Sequence, residues 1–330
     1  MDPFQQILSK YRGSHVLLVD PGGGFGDQLI LMGISKQLKK FEVNQSILHL
    51  EIGRNILRLA FVQAEKMFPR LQTILISSRP NALERTLRRG KSRPVARPVI
   101  NGEFDAIVMN GGAYLSNIWK GYGALSAIAP IAKRNPNAAI IFAPQSFVAN
   151  GSERFEEMVT SLGREVHIFC REMPSYSLLK SLQFPRSVRL GLSPDAALYT
   201  SQADFNAQSE NRYVLVAPRL DRESIVKWDL RKMWKFWPRS SVRFGDVNLL
   251  PNFPTFIASV AHASRVFTDR LHVSILASIL GKETYLLPNS YHKNRGVFDF
   301  SLKHFHKTHF IDETKFPTQE LAVRLATEKQ

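Results

Sequence analysis

The sequence predicts an α/β fold made of two Rossmann-like domains facing a cleft, and three observations carry that prediction. Short apolar, β-branched runs recur along the chain, each followed by a stretch of helical length, which is the grammar of a parallel sheet. The pattern stops at a polar segment without periodicity, Ala197–Arg212 (ALYTSQADFNAQSENR), and then begins again. The length of 330 residues suits two domains at about 150 residues each. The expected division is 1–198 and 199–330, and the last helix could pack back on the first domain. Ligands of open α/β sheets bind outside the carboxyl ends of the strands, so strand ends are where chemistry is sought.

In chain order, His15–Asp20 (HVLLVD) reads as a buried parallel strand, PGGGFGD as a glycine-rich turn and Gln28–Lys40 as a helix. Strands are expected at Ser46–Leu50, before the amphipathic Gly53–Phe68, and at Thr73–Ser77. Further strands are expected at Ala106–Met109, before a helix from Gly123 to Lys133, and at Ala138–Ala143 and Val166–Cys170. In the second half, Tyr213–Ala217, Ser241–Phe244, Arg265–Phe267 and Glu283–Leu287 read as strands, with helices at Phe253–Ala263 and His272–Leu280.

Composition narrows the function. A hydrophobic content of 44% excludes a disordered chain, and a single cysteine, Cys170, excludes a disulfide framework or a multi-cysteine zinc site. Nine scattered histidines give no ligand spacing, so neither metal nor cofactor is expected. No signal-peptide run and no stretch long enough to span a membrane is visible, which reads as a cytoplasmic protein. The 44 Lys+Arg against 28 Asp+Glu leave a formal charge of +16, which calls for an anionic partner. The arginine-rich Asn81–Pro98 reads first as a solvated loop, since it lacks the interleaved aromatics of a nucleic-acid site. Trp228, Trp234 and Trp237, set among basic residues, could touch lipid headgroups, stack on a sugar or pack a domain face.

The candidate site residues all fall at expected strand ends. Gly22, Gly23, Gly24 and Gly26 with Asp27 would let backbone amides approach a ligand at a helix N-terminus, although a simple tight turn explains them as well. The spacing is neither the dinucleotide fingerprint nor a P-loop. Asn110, Gly111 and Gly112 form a second glycine turn, and Gln145 sits in a third strand-end loop. Arg171 and Glu172 follow VHIFC directly, where an arginine is more often a structural ion-pair partner. Asp195 follows a proline turn and reads as a cap. The densest group is Thr268-Asp269-Arg270-Leu271-His272. Arg270 offers a fork for phosphate or carboxylate, and His272 near a helix N-terminus could exchange a proton once an anion is bound. His292, Lys293 and Arg295 follow the next strand, where a basic surface turn is the plain alternative.

In their order along the chain, GGGFGD, NGGAYL, APQSF, CREMPS, SPDAAL, TDRLHVSILASILGK and YHKNRG resemble the successive blocks of the polysaccharide pyruvyl transferases, over about residues 16–302. Two positions depart from that pattern: Gly24 stands where an Asn is frequent, and Arg171-Glu172 where Arg-Asp is usual. The resemblance implies a GT-B-like fold, phosphoenolpyruvate as donor, and a pyruvate ketal on a sugar of an exopolysaccharide, a cell-surface glycan or its lipid-linked precursor. By position it implies donor contacts from Arg171, Arg270, Leu271, His272 and Lys293. Catalytic roles fall to His272 and Arg270, with Asp27 and Glu172 for the acceptor hydroxyls. Gly23, Gly24, Gly26, Asn110, Gly111, Gly112 and Gln145 would then lie on the acceptor side, the first domain, and the donor on the second. The surplus charge suggests peripheral contact with the inner face of an anionic plasma membrane; nucleic acid is a poor fit. Two rival readings remain at this level: a GT-B glycosyltransferase using a nucleotide sugar, and a non-catalytic carbohydrate- or nucleic-acid-binding protein of the same fold.

Overall fold

Why the apolar runs become parallel strands is plain from burial. In the computed structural model, which describes residues 1–51, 72–77, 102–116, 118, 123–229 and 241–317, Val16–Val19, Ala106–Met109 and Ile140–Ala143 are all fully or almost fully buried. Strands covered on both faces need no polar alternation, so they read as continuous hydrophobic runs. Gly53–Phe68, Asn81–Pro98, Trp234, Trp237 and the last helix lie outside the described residues.

The chain divides into two compact units, Met1–Thr200 and Ser201–Gln330. Unit 1 begins with helix α1 (Pro3–Ser9), whose N-terminus is closed by a capping box between Asp2 and Gln5. Strand β1 (His15–Asp20) runs into helix α2 (Phe25–Lys40), followed by β2 (Asn44–Glu51), β3 (Gln72–Ser77) and β4 (Ala106–Met109). Helix α3 (Gly123–Arg134), β5 (Ala139–Gln145), α4 (Ser152–Thr160), β6 (Val166–Cys170), α5 (Met173–Lys180) and β7 (Val188–Leu192) complete it. The seven strands lie in the order β3-β2-β1-β4-β5-β6-β7 and every pairing is parallel. The strand order reverses between β1 and β4, so the crevice at their carboxyl ends is the expected ligand position.

Unit 2 repeats the plan on a smaller scale. Its elements are β8 (Tyr213–Ala217), β9 (Lys227–Trp228), β10 (Val242–Phe244), α6 (Phe253–Ala261), β11 (Ala263–Thr268), α7 (Leu271–Ile279), β12 (Glu283–Leu286), α8 (Lys293–Phe300), β13 (Thr308–Phe310) and β14 (Lys315–Phe316). The main sheet runs β10-β8-β11-β12-β13, again all parallel, and its order reverses between β8 and β11. Phe267, Tyr285 and Phe316 fill its core, with the Phe267 and Tyr285 rings stacked at 4.7 Å.

Some expectations need correcting. Ala197–Tyr199, read as the start of the linker, belong to a 3-10 helix, Ala196–Tyr199, that packs on α2. Its N-terminus is capped locally, with the Asp195 carboxylate accepting from the Ala197 amide at 2.9 Å. Strand β7 (VRLGL) went unread because its side chains are only half-covered and alternate with Arg189. Among the described residues, no helix is long and apolar enough to cross a membrane.

Candidate active site

In unit 1 the glycine loop after β1 is organised from below by a buried acid. Asp20 ends β1 at 1% exposure and accepts from the Gly22 amide at 3.1 Å and the Asn110 side-chain amide at 3.3 Å. Its other oxygen lies 2.9 Å from Nδ1 of His49, the residue opposite it on β2. Asn110 reaches further, donating to the Asp27 carbonyl at 3.2 Å, and so ties the ends of β1, β4 and α2 together. Asp27 sits in the first turn of α2 and accepts from the Gly24 amide at 2.7 Å. The approach is close: a Cβ on Gly23 would lie 1.9 Å from Asp27 Oδ2, so the loop admits only glycine there.

Gln145 is brought to the same edge by Pro144. Proline donates nothing to the ladder, and the β5–β6 register shifts between Phe142 and Gln145. Gln145 then bridges Gly112 and donates to the Tyr114 hydroxyl at 3.5 Å, while its own Oε1 and Asn110 Oδ1 are buried without a partner. Tyr114 donates to the Asn110 carbonyl at 2.9 Å. Burial, aided by Asp20 and Asp27, pushes its hydroxyl far above the ordinary range, so it stays protonated. The structure therefore gathers Gly23, Gly24, Asp27, Asn110, Gly112 and Gln145 at one sheet edge. Asp20, His49 and Tyr114 were not singled out from the sequence. The signal was an acid ending one apolar run and a histidine within the next, but their pairing depends on strand adjacency.

Arg171 and Glu172 are placed otherwise than the resemblance implied. Arg171 is 1% exposed, with Nη1 donating to Asp195 at 2.6 Å and Nε to Ser146 Oγ at 2.9 Å. Glu172 is fully buried, accepting from Ser146 Oγ at 3.0 Å and from Ser175 Oγ. Both side chains brace the β5, β6 and α5 junction. Arg171 also belongs to unit 1, whereas the other donor candidates lie on unit 2. Asp195 caps its turn, as its sequence position suggested.

In unit 2 the corresponding edge is crowded with charge. Arg270 is the N-cap residue of α7, and His272, half-buried, lies in the first turn. Leu271 is 2% exposed, so its side chain is core. The guanidinium of Arg270 pairs with Asp246 and, at 3.2 Å, with Asp221, while its Nε is buried without a partner. Lys293 is buried, paired with Glu223 and 5.1 Å from the Tyr291 ring centre. Arg219 pairs with Asp221 at 2.9 Å and Glu223 at 3.0 Å, and its amide donates to Asp269 at 2.6 Å. Burial raises the Asp269 carboxyl, although Arg219 and Ser224 donate to it. Arg295, by contrast, is on the surface, paired with Asp299. Arg270 and Lys293, anion-binding candidates by sequence position, are each supplied with a carboxylate in the structure. Among the described residues, no cluster of three or more His, Cys, Asp or Glu side chains is arranged to hold a metal ion.

Comparison with known proteins places this geometry. The solved structure of an uncharacterized protein from Klebsiella pneumoniae subsp. pneumoniae NTUH-K2044 superposes with a TM-score of 0.58 at 21% identity, covering 94% of this chain and 97% of that one. MnaA of S. aureus, solved with UDP, gives 0.55 at 11% identity, covering 96% of this chain and 87% of that one. ADP-heptose LPS heptosyltransferase II of E. coli gives 0.50 at 10% identity, covering 96% and 100%. These likenesses establish the GT-B fold. No curated protein sequence matches the chain significantly. The polysaccharide pyruvyl transferase family model matches residues 25–291, which takes in Asp27, the Asn110 glycine loop, Arg270 with His272 and most of both units, so the chain is a member of the polysaccharide pyruvyl transferase family.

Proposed function

We propose that the protein transfers pyruvate from phosphoenolpyruvate to two hydroxyls of a sugar in an exopolysaccharide or cell-surface glycan, forming a ketal and releasing phosphate. The observation that carries this reading is Arg270, at the switch point of the unit 2 sheet, with a buried Nε donor that no group among the described residues satisfies. A buried donor without a partner is costly unless a ligand completes it. Phosphoenolpyruvate joins a phosphate and a carboxylate within one small molecule, which suits the forked and point charges of Arg270, His272 and Lys293. Unit 1 carries the acceptor side in this reading: Asp27, the unpartnered oxygens of Asn110 and Gln145, and the protonated Tyr114 are hydroxyl-matching groups.

The chemistry runs in balanced steps. A proton from His272 adds to the methylene carbon, and a sugar hydroxyl attacks the cationic C2 while a base takes its proton. Phosphate leaves with the C–O electron pair, and the second hydroxyl closes the ketal. Of the two hydroxyl protons, one replaces that used in forming the methyl group and the other departs with phosphate. Glu172, buried and doubly hydrogen-bonded, is not assigned a step.

A lipid-linked acceptor at an anionic membrane face belongs to the same proposal. Leu220, Ile225, Phe244 and Leu249 are exposed on unit 2 and lie close in sequence to the exposed cations Arg222, Lys227 and Arg243. Apolar and basic groups together suit the headgroup region of anionic lipid. The decisive experiment is mass spectrometry of acceptor oligosaccharides incubated with phosphoenolpyruvate and the protein. A ketal adds pyruvate less water, and Arg270→Ala and His272→Ala each lower phosphate release by about a hundredfold or more. Thermal stabilisation by a nucleotide sugar with none by phosphoenolpyruvate would sink the reading in favour of glycosyl transfer.

A further inference from the structure

Two arginines far apart in sequence share one carboxylate at the switch point of unit 2. Asp221 Oδ2 accepts from Arg219 Nη2 at 3.0 Å and from Arg270 Nη2 at 3.2 Å, while its Oδ1 accepts from Arg219 Nε at 2.9 Å. The arginines arrive from different strands, Arg219 just after β8 and Arg270 just after β11, the two strands between which the order reverses. Asp269 fixes their spacing by accepting from the Arg219 amide, and Thr268 Oγ1 accepts from the Arg270 amide at 3.0 Å.

Asp221 differs from the other acids around it. Its side chain is 26% exposed, against 1% for Glu223 and 5% for Asp246, while both arginine side chains are 9% exposed. The most solvent-reached member of the cluster is therefore the one bridging the two forks. The charge balance matters too. Arg219, Arg270 and Lys293 face Asp221, Glu223, Asp246 and Asp269. A ligand with two or three negative charges entering that cluster would meet a carboxylate surplus unless one acid gave way.

We propose that Arg219 and Arg270 form a two-arginine clamp for one oxoanion group, carboxylate or phosphate, and that Asp221 is its resting occupant, displaced when the anion binds. The inference rests on the reading that unit 2 takes an anionic donor, and it adds Arg219 as a binding residue and Asp221 as a competitor that sets affinity. Asp246 and Glu223 keep a counter-charge on each guanidinium throughout, and exchange of Asp221 for an anion keeps the number of ion pairs roughly constant. The unpartnered Nε of Arg270 gives the incoming anion one hydrogen bond that Asp221 does not make. Apparent affinity is reduced by the fraction of time Asp221 holds the clamp, as for any site competent only part of the time.

The test is isothermal titration of the full chain with phosphoenolpyruvate and with inorganic phosphate, alongside melting temperatures. Asp221→Asn keeps the shape and removes the competing charge, so both anions should bind about three- to tenfold tighter. Arg219→Lys keeps the charge and loses the fork, so both should bind about tenfold more weakly. Equal or weaker binding by Asp221→Asn with a wild-type melting temperature overturns the clamp. A measurement on the unaltered protein guards against misfolded variants: sulfate should protect Arg219 from phenylglyoxal and raise carbodiimide labelling of Asp221. Unchanged labelling of Asp221 under saturating sulfate likewise overturns it. Phosphate binding that tightens in Asp221→Asn without any phosphoenolpyruvate-dependent transfer supports the clamp and sinks the donor reading. Transfer that proceeds while both substitutions leave anion binding unchanged does the reverse.

Discussion

His167 holds its ring almost wholly inside β6, at 5% exposure, with Nε2 2.9 Å from Glu165 Oε1. Burial lowers its pKa, and Lys10 and Arg189 add to that, outweighing the bond from Glu165. A histidine that the fold keeps neutral takes up its proton more readily when unfolded, so stability is complete above the unfolded pKa of about 6.5 and falls as the pH drops through it. Urea denaturation at pH 7 and pH 5 should show that loss, and His167→Gln should lessen it; an unchanged difference would remove His167 as the cause. The same residue-level view explains what motif order left unread at Arg171 and Glu172. Their positions after a strand are visible in the sequence. Whether a strand-end arginine faces a crevice or turns inward depends on a partner such as Asp195, 24 residues on, meeting it in space.

Between elements, the packing of α2 against the 3-10 helix Ala196–Tyr199 gives the clearest constraint. A Cβ on Gly33 would lie 1.8 Å from the Ala196 carbonyl oxygen, so helix and turn meet backbone to backbone. Alanine would favour the helix by about 1 kcal/mol over glycine, but overlap with a backbone atom forces the elements apart at about 1–3 kcal/mol. Gly33→Ala is therefore expected to destabilise unit 1, lowering its urea midpoint; a raised midpoint would show that the contact yields. Elements were largely legible in the sequence, because β1, β4, β6 and β8 are short, mostly apolar runs next to proline or charged residues. Their neighbours were not. The dyad of Asp20 and His49 and the clamp around Asp221 arise only where β1 meets β2 and β8 meets β11, and no local pattern encodes which strands adjoin. The residues PRLDRES after β8 carried the charges in view, while their pairing partner Arg270 lies some fifty residues away.

For the whole molecule, the +16 charge is best judged after its paired members are set aside. Arg171, Arg219, Arg270 and Lys293 are matched internally, so the surplus falls on other positions such as exposed Arg222, Lys227 and Arg243. If that surplus meets a membrane, sedimentation with phosphatidylglycerol vesicles should be strong at low salt and lost at high salt, while phosphoenolpyruvate binding changes far less. Retention on vesicles at high salt would mean that apolar insertion, not charge, holds the protein. The exclusively parallel pairing of both main sheets has a consequence of a different kind, for how the chain reaches this state. Among the described residues no two neighbouring strands of either sheet form a hairpin, so each of these pairings needs a crossover connection. His15 at the start of β1 must find Asp105, ninety residues downstream, before that strand pair can close. Such long closures come late and slowly, leaving valine- and isoleucine-rich segments uncovered in the meantime. Mutual repulsion among strongly positive chains would then keep half-folded copies from joining edge to edge, a service the charge performs before any substrate arrives.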